Sequence, residues 1–369
     1  MKIHSSLGLD RVVFELAFDA EDHRLNRRAR PGQRTCSVWL PHRLRSLHPD
    51  LVCLAGLLIA FPWIKRKVSF SGDFRPSPAF ADAVSCAFSF RMEGAEQATS
   101  PRPMNPEGRP WQAFSAGVDS VAALELMPDD TVGVYLNRVG PDRFAPNSNY
   151  RTDFARHAVG ELRRQGLDII TIDSDLEFTR QPAGVPVDWA NAVPAILLAD
   201  EYNLSSIAWG LVLESAYCVG TSAFQNWAER PVAKKWGRVF HSVGLPMSPV
   251  VAGLSEVCTS RIVSRSRFSG LAQACVRGTI DTPCGSCPKC FRKGLLDAAL
   301  GNRPFSSIDF RHYLGLREVQ QVLLETPIKH ENVVGYSMSK YDGSDELARA
   351  LVERLRALEP SANIFDRYS

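Results

Sequence analysis

The chain has 369 residues, 45% of them hydrophobic and 22% charged, which fits a globular protein with a large core and two domains. Lysine and arginine number 43 against 40 aspartates and glutamates, and a net charge of +3 is too mild to argue for nucleic acid by itself. The start, Met1–Ser5, has no apolar signal core, and the longest apolar run, Leu51–Phe61, has eleven residues, too few to span a bilayer. A soluble, cytoplasmic protein without a membrane partner is expected.

Residues 1–93 read as a separate small α+β unit. Arg11–Phe18 alternates weakly and is expected as a strand, as is Cys36–Leu40. Between them, residues 24–34 hold five arginines and no acid. This run is a solvated basic loop or a contact for RNA, pyrophosphate or an acidic partner protein. A buried helix follows at 51–61, then one or two helical turns at Pro78–Val84 between short strands at Val68–Phe70 and Ser85–Met92. Apolar periodicity stops over residues 94–110, where Pro, Gly and small polar residues dominate. The expected division is therefore 1–105, 106–310 and 311–369.

The second domain repeats strand and helix. Strands are expected at 111–114, Thr131–Leu136, Asp168–Ile172 and Ser206–Trp209, and helices at 119–127, Thr152–Gln165 and Asp188–Tyr202. That succession argues for α/β architecture with an open parallel sheet and helices on both faces. Ligands in such sheets bind outside the carboxyl ends of the strands. The first strand runs into Ser115-Ala116-Gly117-Val118-Asp119-Ser120. A tight turn at a helix N-terminus aims backbone N–H groups and the helix dipole at one point, which suits a phosphate. Ser115 and Ser120 add hydroxyl donors. Asp119 beside an anion makes sense if a divalent metal bridges the two.

The loop after the fourth strand, Gly210 to Tyr217, belongs on the same edge. Glu214, Ser215 and Tyr217 there can clamp a heterocycle by hydrogen bonding and stacking, or Glu214 can simply serve a helix N-terminus. Residues 218–247 read as an irregular insertion. Its Lys234 and Lys235 sit either on a plain surface loop or on a flap that closes over triphosphate. A helix is expected at Ser255–Val263. Seven basic residues lie between 261 and 293, including Lys289, Arg292 and Lys293, and can attract an anion.

Cys275, Cys284, Cys287 and Cys290 stand as C-x8-C-x2-C-x2-C. Thiolates at this spacing can converge on a tetrahedral zinc ion with bonds of about 2.3 Å. An iron–sulfur cluster uses four cysteines too. Disulfides do not suit a total of nine cysteines without a secretory signal. Four thiolates fill the coordination of zinc, so the site is read as structural. Beyond residue 300, Arg317–Glu325 and Asp345–Leu358 read as amphipathic helices that pack on the domain or pair two subunits.

The 115–120 stretch resembles the S-G-G-x-D-S loop of the PP-loop ATP pyrophosphatases, the adenine nucleotide α-hydrolase-like family, with Ala116 in place of a glycine. Those enzymes cleave ATP to AMP and pyrophosphate by adenylating a substrate oxygen. Together with the four cysteines and Arg292, the loop makes Trp111 to Leu300 resemble 7-cyano-7-deazaguanine synthase, as a divergent relative. Residues 1–105 have no counterpart in that synthase. The resemblance implies ATP, Mg2+ and Zn2+ as cofactors. It implies that Ser115, Ala116, Gly117, Val118, Asp119, Ser120, Tyr135 and Gly210 meet ATP, with Asp119, Ser115 and Ser120 catalytic. It further implies a small acid substrate such as a deazapurine, ammonia or an amine as second substrate, and a homodimer. The family's phosphate-contacting lysine at the start of the 255–263 helix is Glu256 here. A tRNA-modifying PP-loop enzyme, a ligase joining a deazaguanine or similar acid to an amine of a protein or natural product, and a non-catalytic zinc-knuckle scaffold are the rival readings.

Overall fold

A computed structural model describes residues 1–19, 22, 29–142, 151–219, 223–273, 275–280, 282–325, 328–341 and 346–357. Arg24, Arg27 and Arg28 of the basic run, and Asp281 between the cysteines, lie outside the described residues.

The amino-terminal portion supplies β1 (Lys2–Leu7), β2 (Arg11–Ala17), the two-residue β3 (Arg30–Pro31), β4 (Thr35–Trp39), α1 (Pro49–Ala60), β5 (Lys67–Gly72), α2 (Pro78–Ala87) and β6 (Arg91–Glu93). Helix α1 begins where His48 Nδ1 accepts from Asp50 N and Pro49 occupies the first turn. Residues Asp50 to Ala60 are all buried, as a helix apolar on every side must be. Gly56 permits the close approach: a Cβ there would lie 2.9 Å from the Phe70 ring and 3.2 Å from that of Phe14. The strand expected over 85–92 is instead the end of α2. Ser77 caps that helix at Phe80 N, and Phe80, Ala81, Val84 and Ala87 recur on one buried face. The helical period outcompetes the local alternation of residues 85–92, and the three residues of β6 alone pair as a strand, parallel to β5.

The central portion supplies β7 (Arg109–Phe114), α3 (Val118–Leu126), β8 (Val132–Arg138), α4 (Asp153–Arg164), β9 (Ile169–Ser174), β10 (Arg180–Gln181), α5 (Val193–Leu197) and β11 (Leu204–Ala208). The helix expected over 188–202 is divided into a 3-10 turn at Asp188–Ala192 and α5, which restarts around Pro194. Then follow α6 (Leu213–Ala216), β12 (Cys218–Val219), β13 (Ala223–Phe224), α7 (Pro231–Ser242), β14 (Met247–Ser248) and α8 (Glu256–Arg265). The expected irregular insertion thus contains a twelve-residue helix, α7. Trp236, Val239 and Phe240 at helical spacing bury one of its faces, and Trp236 packs on Phe61 and Phe88 with ring centroids 4.7 and 4.9 Å away.

The main sheet has ten strands in the order β14-β11-β7-β8-β9-β4-β2-β1-β5-β6. Its β14-β11-β7-β8-β9 half is parallel throughout. Strand β4 then pairs antiparallel with β9, placing Val38 opposite Ser174 and Trp39 opposite Asp173. The strands of residues 1–93 therefore extend the central sheet. One apolar cluster contains Phe14 and Leu54 from that segment together with Trp111, Val134, Ile196 and Phe240. The 94–110 linker joins two stretches of chain without dividing the sheet or its core.

From β7 the chain passes through α3 to β8 and through α4 to β9 on one side, then crosses to β11 on the other. The topological switch point lies between β7 and β11, where ligands gather in open α/β sheets.

The last portion contains α9 (Pro288–Ala299), α10 (Ser307–Leu314), α11 (Arg317–Leu324), α12 (Glu331–Ser339) and α13 (Glu346–Ala357). These helices form their own apolar cluster, in which Cys275 and Cys290 pack with Phe291, Phe310, Tyr313 and Met338. Among the described residues, no helix is long and apolar enough to cross a membrane.

Candidate functional site

A cavity of about 710 Å³ opens at the switch point. Ser115, Gly117, Val118, Asp119 and Ser120 line it from the β7–α3 turn, Tyr135 from β8, and Gly210 and Ser215 from the chain after β11. The turn is built by short local bonds. Ser120 Oγ accepts from Ser115 N at 3.2 Å, Ser115 Oγ lies 3.3 Å from Ser120 Oγ, and Gln112 Nε2 donates to Ser120 O at 2.6 Å. Gly117 is the N-cap of α3 and offers no side chain to cap it; among the described residues, no side chain accepts from the first-turn N–H groups.

Ala116 has φ 55, in the left-handed region that favours glycine. Its methyl is 1% exposed and packs among Phe114, Val121 and Val251. Burial of one methyl contributes about 0.8 kcal/mol, comparable to the roughly 1 kcal/mol that the left-handed backbone costs. The alanine is thus tolerated where the resembling family has glycine. Gly210 cannot be exchanged in that way. A Cβ on it would stand 2.6 Å from Asp119 C, 2.6 Å from Ser120 N and 2.8 Å from Asp119 O. The end of β11 rests directly against the backbone that opens α3.

Asp119 is half-buried, and its Oδ1 accepts from Thr259 Oγ1 on α8 at 2.7 Å. Burial raises its pKa, against the pull of Lys293. Tyr135 is buried beside the cavity, and burial pushes its phenol up to about 12.

Two residues expected to read substrate are occupied elsewhere. The Glu214 carboxylate accepts from Glu256 N at 3.1 Å, and from Asn332 Nδ2, at the N-terminus of α8. Of the two readings of Glu214, the geometry has it serving a helix terminus, and burial raises its pKa there. The Tyr217 ring stacks on Phe224 with centroids 5.4 Å apart. Neither lines the cavity, whereas Ser215 between them does.

In their place stands an aromatic wall. Trp189 and Trp209 meet edge to face at 5.1 Å, and Trp227 closes on Trp189 at 6.1 Å; all three line the cavity. Arg230 lies over the Trp227 ring and donates to Ser215 O and Ala216 O, both at 2.6 Å, fixing this wall to the chain after β11. The tryptophans are far apart in sequence, so no local motif announces them.

Lys234 and Lys235 lie on the exposed face of α7 and do not line the cavity. The cavity's lysines are Lys289 and Lys293 of α9. Glu256 is 2% exposed and binds Lys293 Nζ at 2.6 Å and Arg292 Nε at 3.1 Å. Burial would raise the Glu256 carboxyl, but Lys293 and Arg292 outweigh it and hold it down to about 2. His330 Nδ1 lies 3.6 Å from the same carboxylate, and burial and Arg292 push the imidazole down to about 4. Of the basic residues from 261 to 293, the fold brings the two lysines of α9 to the cavity and leaves Arg261 and Arg265 exposed on α8.

The four cysteines converge. Their Sγ atoms all lie within 4.8 Å of one another, and Cys284 and Cys290 are 3.6 Å apart. Four ligands about 2.3 Å from one zinc ion stand roughly 3.8 Å from one another. The donors therefore fit one mononuclear tetrahedral ion, whereas a four-iron cubane, with one thiolate on each iron, spreads its sulfurs wider. The closeness of Cys290 holds the Cys287 thiol below its ordinary value. The cysteine segment is docked on the cavity: Gln273 N donates to Ala116 O at 3.0 Å, and Arg151 N to Val276 O at 2.9 Å.

A model described as a family of unknown function, DUF6395, matches residues 235–369, which include α8, the cysteines and the terminal helices. No curated protein matches the chain. Among solved structures, the U34-tRNA thiolase NcsA from Methanococcus maripaludis, with its [4Fe-4S] cluster, is similar at 13% identity and a TM-score of 0.29, over 77% of this chain and 81% of that one. Likeness at that score fixes neither fold nor chemistry.

Proposed function

We propose that the cavity binds ATP and that the protein is an AMP-forming enzyme, which adenylates an oxygen of a small acid and passes the acyl group to a nitrogen nucleophile. The observation that carries this reading is the uncapped start of α3 at the switch point, where Ser115, Ser120 and the lysines of α9 surround one space. Backbone N–H groups at a helix start and nearby cations are the usual means of holding pyrophosphate as charge develops on it. Asp119 offers a carboxylate oxygen for Mg2+, which when bound would neutralise phosphate charge. Thr259 donates to the other oxygen and orients the group.

The chain's own part is positioning and electrostatics. Ser115, Gly117, Val118 and Ser120 orient the β- and γ-phosphates. The substrate oxygen attacks the α-phosphorus and pyrophosphate departs, leaving an acyl adenylate. The nitrogen nucleophile then adds to the acyl carbon and AMP leaves. The wall of Trp189, Trp209 and Trp227 excludes water and suits a flat heteroaromatic acid, a deazapurine carboxylate among them. Cys275, Cys284, Cys287 and Cys290 would hold Zn2+ in a closed site, whose contribution is structural.

Asp119→Ala tests the assignment. The variant should fold with an unchanged melting midpoint and form no AMP from ATP and Mg2+ in the presence of the acid that supports wild-type turnover. Undiminished AMP formation by that variant would rule out the proposed site.

A further inference from the structure

Sequence position alone leaves this site without a phosphate-binding lysine, because Glu256 stands where the resembling enzymes have one. The fold supplies cations from another element. Lys289 and Lys293 lie one helical turn apart on α9, and both line the cavity wall. The opposite side of α9 places Cys290, Phe291 and Leu295 in the apolar cluster around the cysteine site. One amphipathic helix therefore ties the metal-binding residues to the cavity.

The two lysines are not equivalent. Lys293 is 6% exposed, its ammonium lies 2.6 Å from Glu256 Oε1, and it donates to Ser260 Oγ at 3.3 Å. It is already neutralised. Lys289 has no ion-pair partner among the described residues and stays accessible in the cavity wall. Asp119 lines the same cavity, and the partial burial of Lys289 beside it lowers the lysine's pKa against the pull of that carboxylate.

We propose that Lys289, carried between two cysteine ligands on α9, binds the pyrophosphate moiety of the nucleotide. The Lys293–Glu256 pair holds its helix in position. The inference rests on the nucleotide reading above and assigns to the cysteine segment the role that α8 has in the resembling enzymes.

The test uses the full-length, metal-loaded protein and calorimetric titration with ATP, pyrophosphate and AMP. Loss of one charge-assisted contact should weaken ATP and pyrophosphate binding by Lys289→Gln roughly 10- to 100-fold. AMP binding and metal content should stay as in wild type, and Lys289→Arg should restore most of the loss. A second measurement needs no variant: pyrophosphate should protect the Lys289 amine from an acylating reagent, read by mass spectrometry, and leave Lys234 unprotected. Equal ATP and pyrophosphate binding by Lys289→Gln, or no protection of Lys289 in a protein that binds pyrophosphate, would overturn this inference alone. A wild-type protein that binds neither ligand would overturn the nucleotide reading and this inference with it.

Discussion

Replacing Gly210 by alanine perturbs the site at the point where β11 meets the start of α3. The added Cβ would stand 2.6 Å from both Asp119 C and Ser120 N. Ordinary contact begins near 3.4 Å, so the two segments must separate by about 0.8 Å. The obstructing atoms are backbone, so no side-chain rotation relieves the clash. Forced overpacking of this kind costs about 1–3 kcal/mol of stability. The larger consequence is functional. The displaced backbone carries Asp119 and the N–H groups assigned to phosphate, and a shift on the order of 1 Å in a positioned site costs on the order of 100-fold in rate. Urea denaturation and ATP titration of Gly210→Ala measure the two effects. Gly253→Ala is the control, because a Cβ there meets nothing within 4 Å. If Gly210→Ala kept wild-type stability and nucleotide affinity, the close approach of β11 to the loop would have no functional meaning.

Three further outcomes are expected. His330 is held down to about 4 against an ordinary 6.5, so the unfolded chain takes up a proton first as pH falls. Stability from this group is therefore present above pH 6.5 and is lost progressively down to about 4; wild type should lose about 2 kcal/mol more than His330→Asn between pH 7.5 and 5, read from urea midpoints. A pH-independent difference would count against the buried neutral imidazole. The purified protein should hold one zinc ion per chain by elemental analysis and show no iron–sulfur absorption, whereas Cys287→Ser should lose the metal and melt earlier. A coloured, iron-containing protein would reverse the choice made from sulfur spacing. Stripping the metal from wild type should also weaken pyrophosphate binding, since Cys287 is the N-cap of α9 and Cys290 lies in its first turn; unaltered binding would uncouple the two sites.

The parallel half of the sheet could be read from sequence because its signals are local. Val132–Leu136 is a continuous apolar strand buried along its whole length, and Phe114 leads straight into the small, polar turn before α3. The cysteines announced themselves by spacing. Several features could not be read this way. Strand β1 places polar Ser5 among its buried residues, so its alternation does not stand out. Pairing of β4 with β9 joins segments more than 130 residues apart, and nothing in either strand names the other. Helix α7 was legible in principle from Trp236, Val239 and Phe240, and α10 from its Ser306–Asp309 capping box. At the site itself, Glu214 looked available because its carboxylate sits one turn past Gly210; its engagement with α8 and Asn332 is a tertiary fact. The same holds for Lys289 and Lys293, whose sequence position shows a basic stretch but not which of its members face the cavity.

The most direct test of the account is which bond of ATP is broken. Phosphorus magnetic resonance of the products formed from ATP and Mg2+, with a panel of heteroaromatic acids headed by 7-carboxy-7-deazaguanine and with ammonia as nucleophile, reads this without assuming the acid in advance. AMP and pyrophosphate should appear in equal amounts, and only when the correct acid is present. Formation of ADP and orthophosphate instead would contradict the account.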